Sequence, residues 1–300
     1  MHFQQTLRRS VTCAGIGLHS GHKVSLSLKA GPPDSGIRFR RADLGGREIP
    51  AMVENVAGIR YATGLEVNSA SVETVEHLLA ALISMGVDNV IIELNQREVP
   101  IMDGSAAPFV YLVQEAGIRR QAKTRRFLKV TRPVSLSMGD KQIALYPSDH
   151  FKITYSISFD HPLLTHQSRE IQLTEKSFVD QIAPARTFGF LKEVERLRRQ
   201  GLALGGSLDN AIVLSESGVL NRSLRFEDEF VRHKILDAIG DLALIGYPLI
   251  GHLVVNRGGH ALHTAFASMV LENVEAWEVV ESTVDATTGA PLLVPVKATT

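Results

Sequence analysis

EDEFVRHKILDAIGDLALI, residues 227–245, repeats apolar side chains every three or four positions. Val231, Ile235, Ile239 and Leu242 form one stripe, which predicts an amphipathic helix over about Glu227 to Ile245. His233, Asp237 and Asp241 recur at i, i+4 and i+8 and project together from the opposite face, with Gly240 leaving room beside them. A strand is expected next, from Gly251 to Asn256. The same plan occurs earlier in the chain. Val72, Val75, Leu79 and Leu82 predict a helix of about four turns with Ser71 as N-cap and Gly86 as its stop, followed by a strand from Asn89 to Leu94. Each helix bears a histidine, His77 and His233, and each follows strand-like segments: Val24 to Leu28 and Gly36 to Arg41 before the first, and Phe127 to Val134, Lys141 to Pro147, Phe151 to Phe159 and Arg169 to Leu173 before the second. Two similar halves facing each other would form a site between them. A further helix is expected from about Ala107 to Ala116, and Arg119 to Arg126 reads as a basic linker.

The rest of the chain bounds the chemistry. Its 300 residues suggest about two domains, and 44% hydrophobic with 21% charged residues exclude a disordered tail, a coiled coil or a collagen-like rod. Lys plus Arg equals Asp plus Glu at 32 each, so no net field draws the molecule to nucleic acid or an anionic membrane. Cys13, the one cysteine, excludes an internal disulfide and multi-cysteine metal sites, leaving His and carboxylate as the available ligands. Neither a secretory leader nor an apolar run of membrane-spanning length is expected, which places the protein in the cytoplasm.

On spacing alone, the polar stripe of the second helix is more often a solvated face than a ligand set. A third ligand changes that balance, and the internal repeat supplies His77, with Glu76 beside it. Two histidines and one carboxylate leave one zinc position open, zinc lowers the pKa of water to about 7, and a neighbouring carboxylate can take the proton that hydrolysis demands. The pattern reads as a metal hydrolase. The second half also carries an extra element from Ser177 to Ser215, with a charged helix around Lys192 to Arg199, a glycine-rich Gly201 to Gly206 and a strand from Ala211 to Leu214. His260, after Arg257-Gly258-Gly259, is expected on a loop beyond a strand.

Seven motifs in order carry a resemblance over nearly the whole chain: Gly15-Ile16-Gly17-Leu18-His19-Ser20-Gly21, Val75-Glu76-His77-Leu78-Leu79-Ala80-Ala81, Pro100-Ile101-Met102-Asp103-Gly104-Ser105, Ala185-Arg186-Thr187-Phe188-Gly189-Phe190, Gly205-Gly206-Ser207-Leu208-Asp209-Asn210, His233-Lys234-Ile235-Leu236-Asp237 and Gly258-Gly259-His260. The sequence resembles the zinc-dependent UDP-3-O-acyl-N-acetylglucosamine deacetylases of lipid A biosynthesis, the LpxC family. The resemblance implies an α+β fold of two similar domains, each a sheet packed on helices with an insert, the helices sandwiched between the sheets. Expected boundaries are 1–122 for the first domain and 123–275 for the second, with an acyl-binding insert at about 177–215 and a candidate mobile tail at 276–300.

By position, the resemblance implies His77, His233 and Asp237 as zinc ligands, Glu76 as general base, His260 as general acid oriented by Asp241, Thr187 as oxyanion donor and Lys234 as support for the anionic intermediate. Iron(II) also suits such a site. Phe188, Leu204, Gly206, Ser207 and Ile212 are expected to line the acyl passage, Arg257 to meet the nucleotide's phosphates, and Phe159 and Asp160 the uridine. At about 0.8 kcal/mol per buried methylene, a chain of about ten would supply ~8 kcal/mol before ordering costs. The implied partner is the UDP-linked acylated glucosamine, and no obligate protein partner is implied. Two rival readings remain at this point: a noncatalytic sugar-nucleotide or acyl-chain binding module, which intact Glu76 and His260 argue against, and a zinc amidase for another acylated amine.

Overall fold

The computed structural model describes residues 2–59, 61–162, 164–284 and 291–296 as a mixed α/β fold. One sheet orders its strands Val11–Ile16, Lys23–Ala30, Val90–Leu94, Ile37–Arg41 and Arg47–Pro50. Alternation decides which face is buried: Val24, Leu26 and Leu28 turn inward from one strand, and Val90, Ile92 and Leu94 from its neighbour. Ile37–Arg41 and Val90–Leu94 run parallel, so the chain must cross over between them. That crossover carries helix α1, Glu76–Ser84.

The second half repeats this order. Val134–Met138, Lys141–Tyr146 and Leu249–Asn256 are successive neighbours, Phe151–Ile157 lies parallel to Leu249–Asn256, and Gln167–Gln172 pairs with Phe151–Ile157. This crossover carries α3 (Glu175–Gln181), α4 (Leu191–Arg199) and α5 (Glu229–Leu242). A helix follows each central strand: α2 (Ala107–Ala116) in the first half and α6 (His260–Glu272) in the second.

The repeat extends to two segments for which sequence suggested no structure. The basic stretch read as a linker forms the strand Ile118–Thr124, antiparallel to Phe3–Leu7. At the equivalent place after α6, Trp277–Val284 lies antiparallel to Arg126–Val130. The part of the expected tail from Trp277 to Val284 is therefore an integral strand with Val280 in the core, and Pro291–Pro295 pairs with it. Residues 285–290 and 297–300 lie outside the described residues. Arg119, Arg120 and Lys123 face outward, so composition disguised the first strand.

The first helix is shorter than its periodicity predicts. Ser71 belongs to the hairpin Leu65–Val67/Ala70–Val72, whose turn residues Asn68 and Ser69 both have positive φ, and Thr74 (φ 59°) then redirects the chain into α1. Val72 and Val75 fit a helical spacing while belonging to different elements.

Helices α1 and α5 pack on each other, which brings their histidines together. The approach is closest at Gly240, where a methyl group would overlap the carbonyl oxygen of Glu76. Gly240→Ala is therefore expected to force the helices apart and cost about 1–3 kcal/mol. Urea denaturation should show a lower midpoint, and an unchanged midpoint would mean that the interface relaxes freely.

Candidate metal centre and catalytic cleft

Because α1 and α5 are enclosed on nearly all sides, His77, which sequence placed off the buried stripe, is buried along with His233 and Asp237. The His77 and His233 rings stand perpendicular with centroids 4.9 Å apart, and Asp237 Oδ1 lies 3.3 Å from His233 Nε2 and 3.7 Å from His77 Nε2. His233 Nδ1 lies 3.0 Å from the Ala185 carbonyl, an acceptor only, so this nitrogen carries the proton and Nε2 presents its lone pair. Burial lowers the His233 pKa to about 3, which keeps the ring neutral. Asp237 is ionised: burial opposes its charge, but the Lys234 cation hydrogen-bonded to it prevails and holds the carboxyl well below the usual range.

Lys234 Nζ donates to Asp237 Oδ2 at 2.8 Å, while Asp237 Oδ1 finds no hydrogen-bond partner among the described residues. A buried carboxylate oxygen left open between two imidazole nitrogens is costly unless a cation takes it up. The three ligand atoms lie within 4.8 Å of one another, and the set fits a divalent ion.

Asp241, His260 and His263 form a second close group, but here both carboxylate oxygens are engaged. Thr63 Oγ1 donates to Oδ1, and His260 Nδ1 and His263 Nδ1 each lie 2.9 Å from Oδ2. This group orients a histidine. Burial would lower the His260 pKa, but the Asp241 carboxylate prevails, helped by Glu76 and Asp237, and raises it to about 9. His260 is therefore a cation at neutral pH, while Asp241 is held down to about 2 despite its burial. Glu76 behaves oppositely: desolvation raises its pKa against the pull of His260 and His77, and its Oε2 accepts from the Thr63 amide at 3.1 Å. A carboxylate raised toward neutrality beside a protonated imidazole suits a base and acid pair.

Thr187 and Phe188 line a cavity of about 350 Å³. Leu191, Val194 and Leu197 of α4 turn their apolar stripe into the cavity, which explains why this amphipathic helix has no buried residue. Gly206 and Ser207 line the same space, and the Phe188 ring reaches within 6.3 Å of the His233 ring centroid. Two expected lining residues do not. Ile212 pairs with Phe188 in a short parallel ladder and turns into the core, so that Ala211 and Val213 on either side face the cavity. Leu204 is exposed and packs at Gly21, its amide donating to the His19 carbonyl at 3.2 Å.

The nucleotide candidates lie apart from the cavity lining. Arg257, at φ 57°, pairs with Asp140 at 2.8 Å, Phe159 packs against the rings of Phe188 and Phe190, and Asp160 is exposed. His260 opens helix α6 instead of sitting on a loop, because the chain turns at Gly259 directly into the helix. Sequence reasoning missed Thr63, His263 and Glu229. Glu229, fully buried, accepts from the Arg186 amide and guanidinium and so fixes the segment that brings Ala185 to His233 and Thr187 to the cavity. A charged residue in the first turn of a helix carries no signal of such a partner.

A family model described as UDP-3-O-acyl N-acetylglycosamine deacetylase (LpxC) matches residues 4–272. Among curated proteins named UDP-3-O-acyl-N-acetylglucosamine deacetylase, one from Syntrophotalea carbinolica is 48% identical over 284 residues, covering 94% of this chain and 92% of that protein. One from Pseudomonas entomophila is 49% identical over 281 residues (92% of this chain, 93% of that protein), and one from Syntrophus aciditrophicus 47% over 279 residues (92% and 89%).

Proposed function

The chain belongs to the UDP-3-O-acyl N-acetylglycosamine deacetylase (LpxC) family, and from that premise we propose that it removes acetate from the glucosamine nitrogen of UDP-3-O-acyl-N-acetylglucosamine in lipid A biosynthesis, using zinc held by His77, His233 and Asp237. The observation that carries this reading is the meeting of two features at Phe188, which lines the apolar cavity and packs its ring near His233 of the ligand set. An acyl-bearing amide substrate needs both at once.

When bound, zinc supplies Lewis acidity for the amide carbonyl and lowers the pKa of water to about 7. Glu76 takes the proton of the attacking water, and desolvation makes its carboxylate a stronger base than a solvated one. Thr187 donates to the developing oxyanion and the Lys234 cation lowers its energy. His260, protonated through Asp241, gives its proton to the leaving nitrogen. One water is consumed, and acetate and the free amine result.

The same reading divides the chain into two similar domains, 1–122 and 123–275, with the helices between their sheets; the recurring strand order and the packing of α1 on α5 support it. Among the described residues no helix is long and apolar enough to cross a membrane, and we place the reaction in the cytoplasm. Acetate release from the UDP-linked substrate, followed by proton NMR against N-acetylated sugars without UDP or acyl chain, tests the assignment. Equal rates on all substrates would contradict it.

The cavity yields a prediction about chain length. A side chain at Gly206 starts 3.3 Å from the Ala203 carbonyl and 3.6 Å from Leu18 Cδ1, so a leucine must extend into the passage. Displacing about two methylenes at about 0.8 kcal/mol each should lower kcat/KM for a long-chain substrate about tenfold. A substrate without the acyl chain should be spared, and an equal loss on both would remove this segment from specificity.

A further inference from the structure

Two further buried groups adjoin Asp241. His263 and Tyr155 are both fully buried, and Tyr155 Oη lies 3.0 Å from His263 Nε2, while His263 Nδ1 lies 2.9 Å from Asp241 Oδ2. The tautomer follows from the partners. An ionised carboxylate oxygen can only accept, so Nδ1 must carry the proton; were Nε2 protonated as well, the buried Tyr155 hydroxyl proton would have no acceptor, so Nε2 accepts and Tyr155 donates. Tyr155 has no other hydrogen-bond partner among the described residues, and burial raises its pKa well above the usual value, so its hydroxyl keeps the proton it donates.

The loop before His260 closes over this pair. A methyl group at Gly258 would overlap the Tyr155 hydroxyl and lie 2.6 Å from Val255 Cγ1 and 2.7 Å from His263 Nε2. The glycine lets backbone cover a tyrosine–histidine contact from which water is excluded. Asp241 thus receives three donors from three places in the chain, Thr63, His260 and His263.

Resting on the deacetylase reading, we propose that His263, locked by Tyr155 as the neutral Nδ1–H tautomer, is a positioning residue for the reaction: it fixes the carboxylate of Asp241 so that His260 meets the leaving nitrogen in the correct orientation. Two imidazoles share one carboxylate oxygen, and they play different parts. His260 carries the proton that moves, and His263 supplies a donor that stays. Without His263, Oδ2 keeps only His260, and the carboxylate, still held at Oδ1 by Thr63, can tilt, so the direction of His260 is less tightly fixed. A misplacement of an ångström or less in a proton donor is enough to cost about tenfold to a hundredfold.

The test compares His263→Leu, His263→Asn and Tyr155→Phe in the zinc-loaded protein. Wild-type acetate release is measured first: its absence would contradict the deacetylase reading, whereas its presence with unaffected variants would contradict only the part given to His263. His263→Leu is expected to lower kcat about tenfold to a hundredfold while KM and zinc content stay within about twofold. His263→Asn, whose side-chain amide can place an N–H near the former Nδ1, should recover most of that loss. In wild-type protein labelled with ¹⁵N-histidine, His263 should show a protonated Nδ1 and a bare Nε2, and Tyr155→Phe should blur this into a mixture with a smaller fall in kcat.

Wild-type kcat in His263→Leu, an asparagine variant as slow as the leucine one when both are folded, or an Nε2–H tautomer in the wild type would each overturn the proposal. Should the leucine variant not fold, Tyr155→Phe decides: an unchanged tautomer together with an unchanged kcat refutes the lock.

Discussion

Protein carrying His233→Ala is expected to be purified without its divalent ion and without deacetylase activity. His233 supplies one of three convergent ligand atoms, its Nε2 is presented by the Nδ1–H bond to Ala185, and α5 fixes it one turn from Asp237. Removing it leaves His77 and Asp237, too few for tight binding at a site built for three. It also leaves a void among fully enclosed side chains, so stability should fall as well. Elemental analysis of the folded variant reads the outcome. Undiminished metal with full activity would show that the ion sits elsewhere, for which the Asp241, His260 and His263 group would be the next candidate.

Glu76→Ala and His260→Ala are expected to retain the metal and each lose about 10²- to 10⁴-fold in turnover. Their pH profiles should separate the two parts. The base must be unprotonated, so wild-type kcat/KM falls as pH drops through the raised pKa of Glu76; the acid must be protonated, so the rate falls as pH rises through about 9, the value to which Asp241 lifts His260. Glu76→Ala should therefore lose the acidic limb and His260→Ala the basic one. Persistence of both limbs in both variants would assign the proton transfers to other groups.

Much of this site was legible because chemistry and periodicity coincide on one helix. The spacing of His233, Asp237 and Asp241 survives as geometry, and the repeat that suggested a facing helix with His77 recurs as strand order in the two halves. What periodicity could not supply was the environment. His77 reads as an off-stripe histidine, yet it is buried because α5 covers the face that a lone amphipathic helix would expose to water. Strands whose partners are distant were also hidden: Ile118–Thr124 is an exposed basic strand and Trp277–Val284 follows a helix that opens at His260 without a capping side chain. Ile212 shows the opposite error, since apolar character marks it as lining while the two-residue period of its strand turns it to the core. Partners such as Thr63 with Asp241, or Arg186 with Glu229, join residues far apart in sequence and leave no local pattern.

Hydrolysis of the N-acetyl group is expected to depend on an ion at His77, His233 and Asp237. One preparation, assayed for acetate release from UDP-3-O-acyl-N-acetylglucosamine before chelation, after chelation and after return of one equivalent of zinc, tests it most directly. The expected sequence is activity, its loss, and its recovery in proportion to zinc bound up to one ion per chain; acetate release that continues undiminished in protein shown to be free of metal would rule out the dependence.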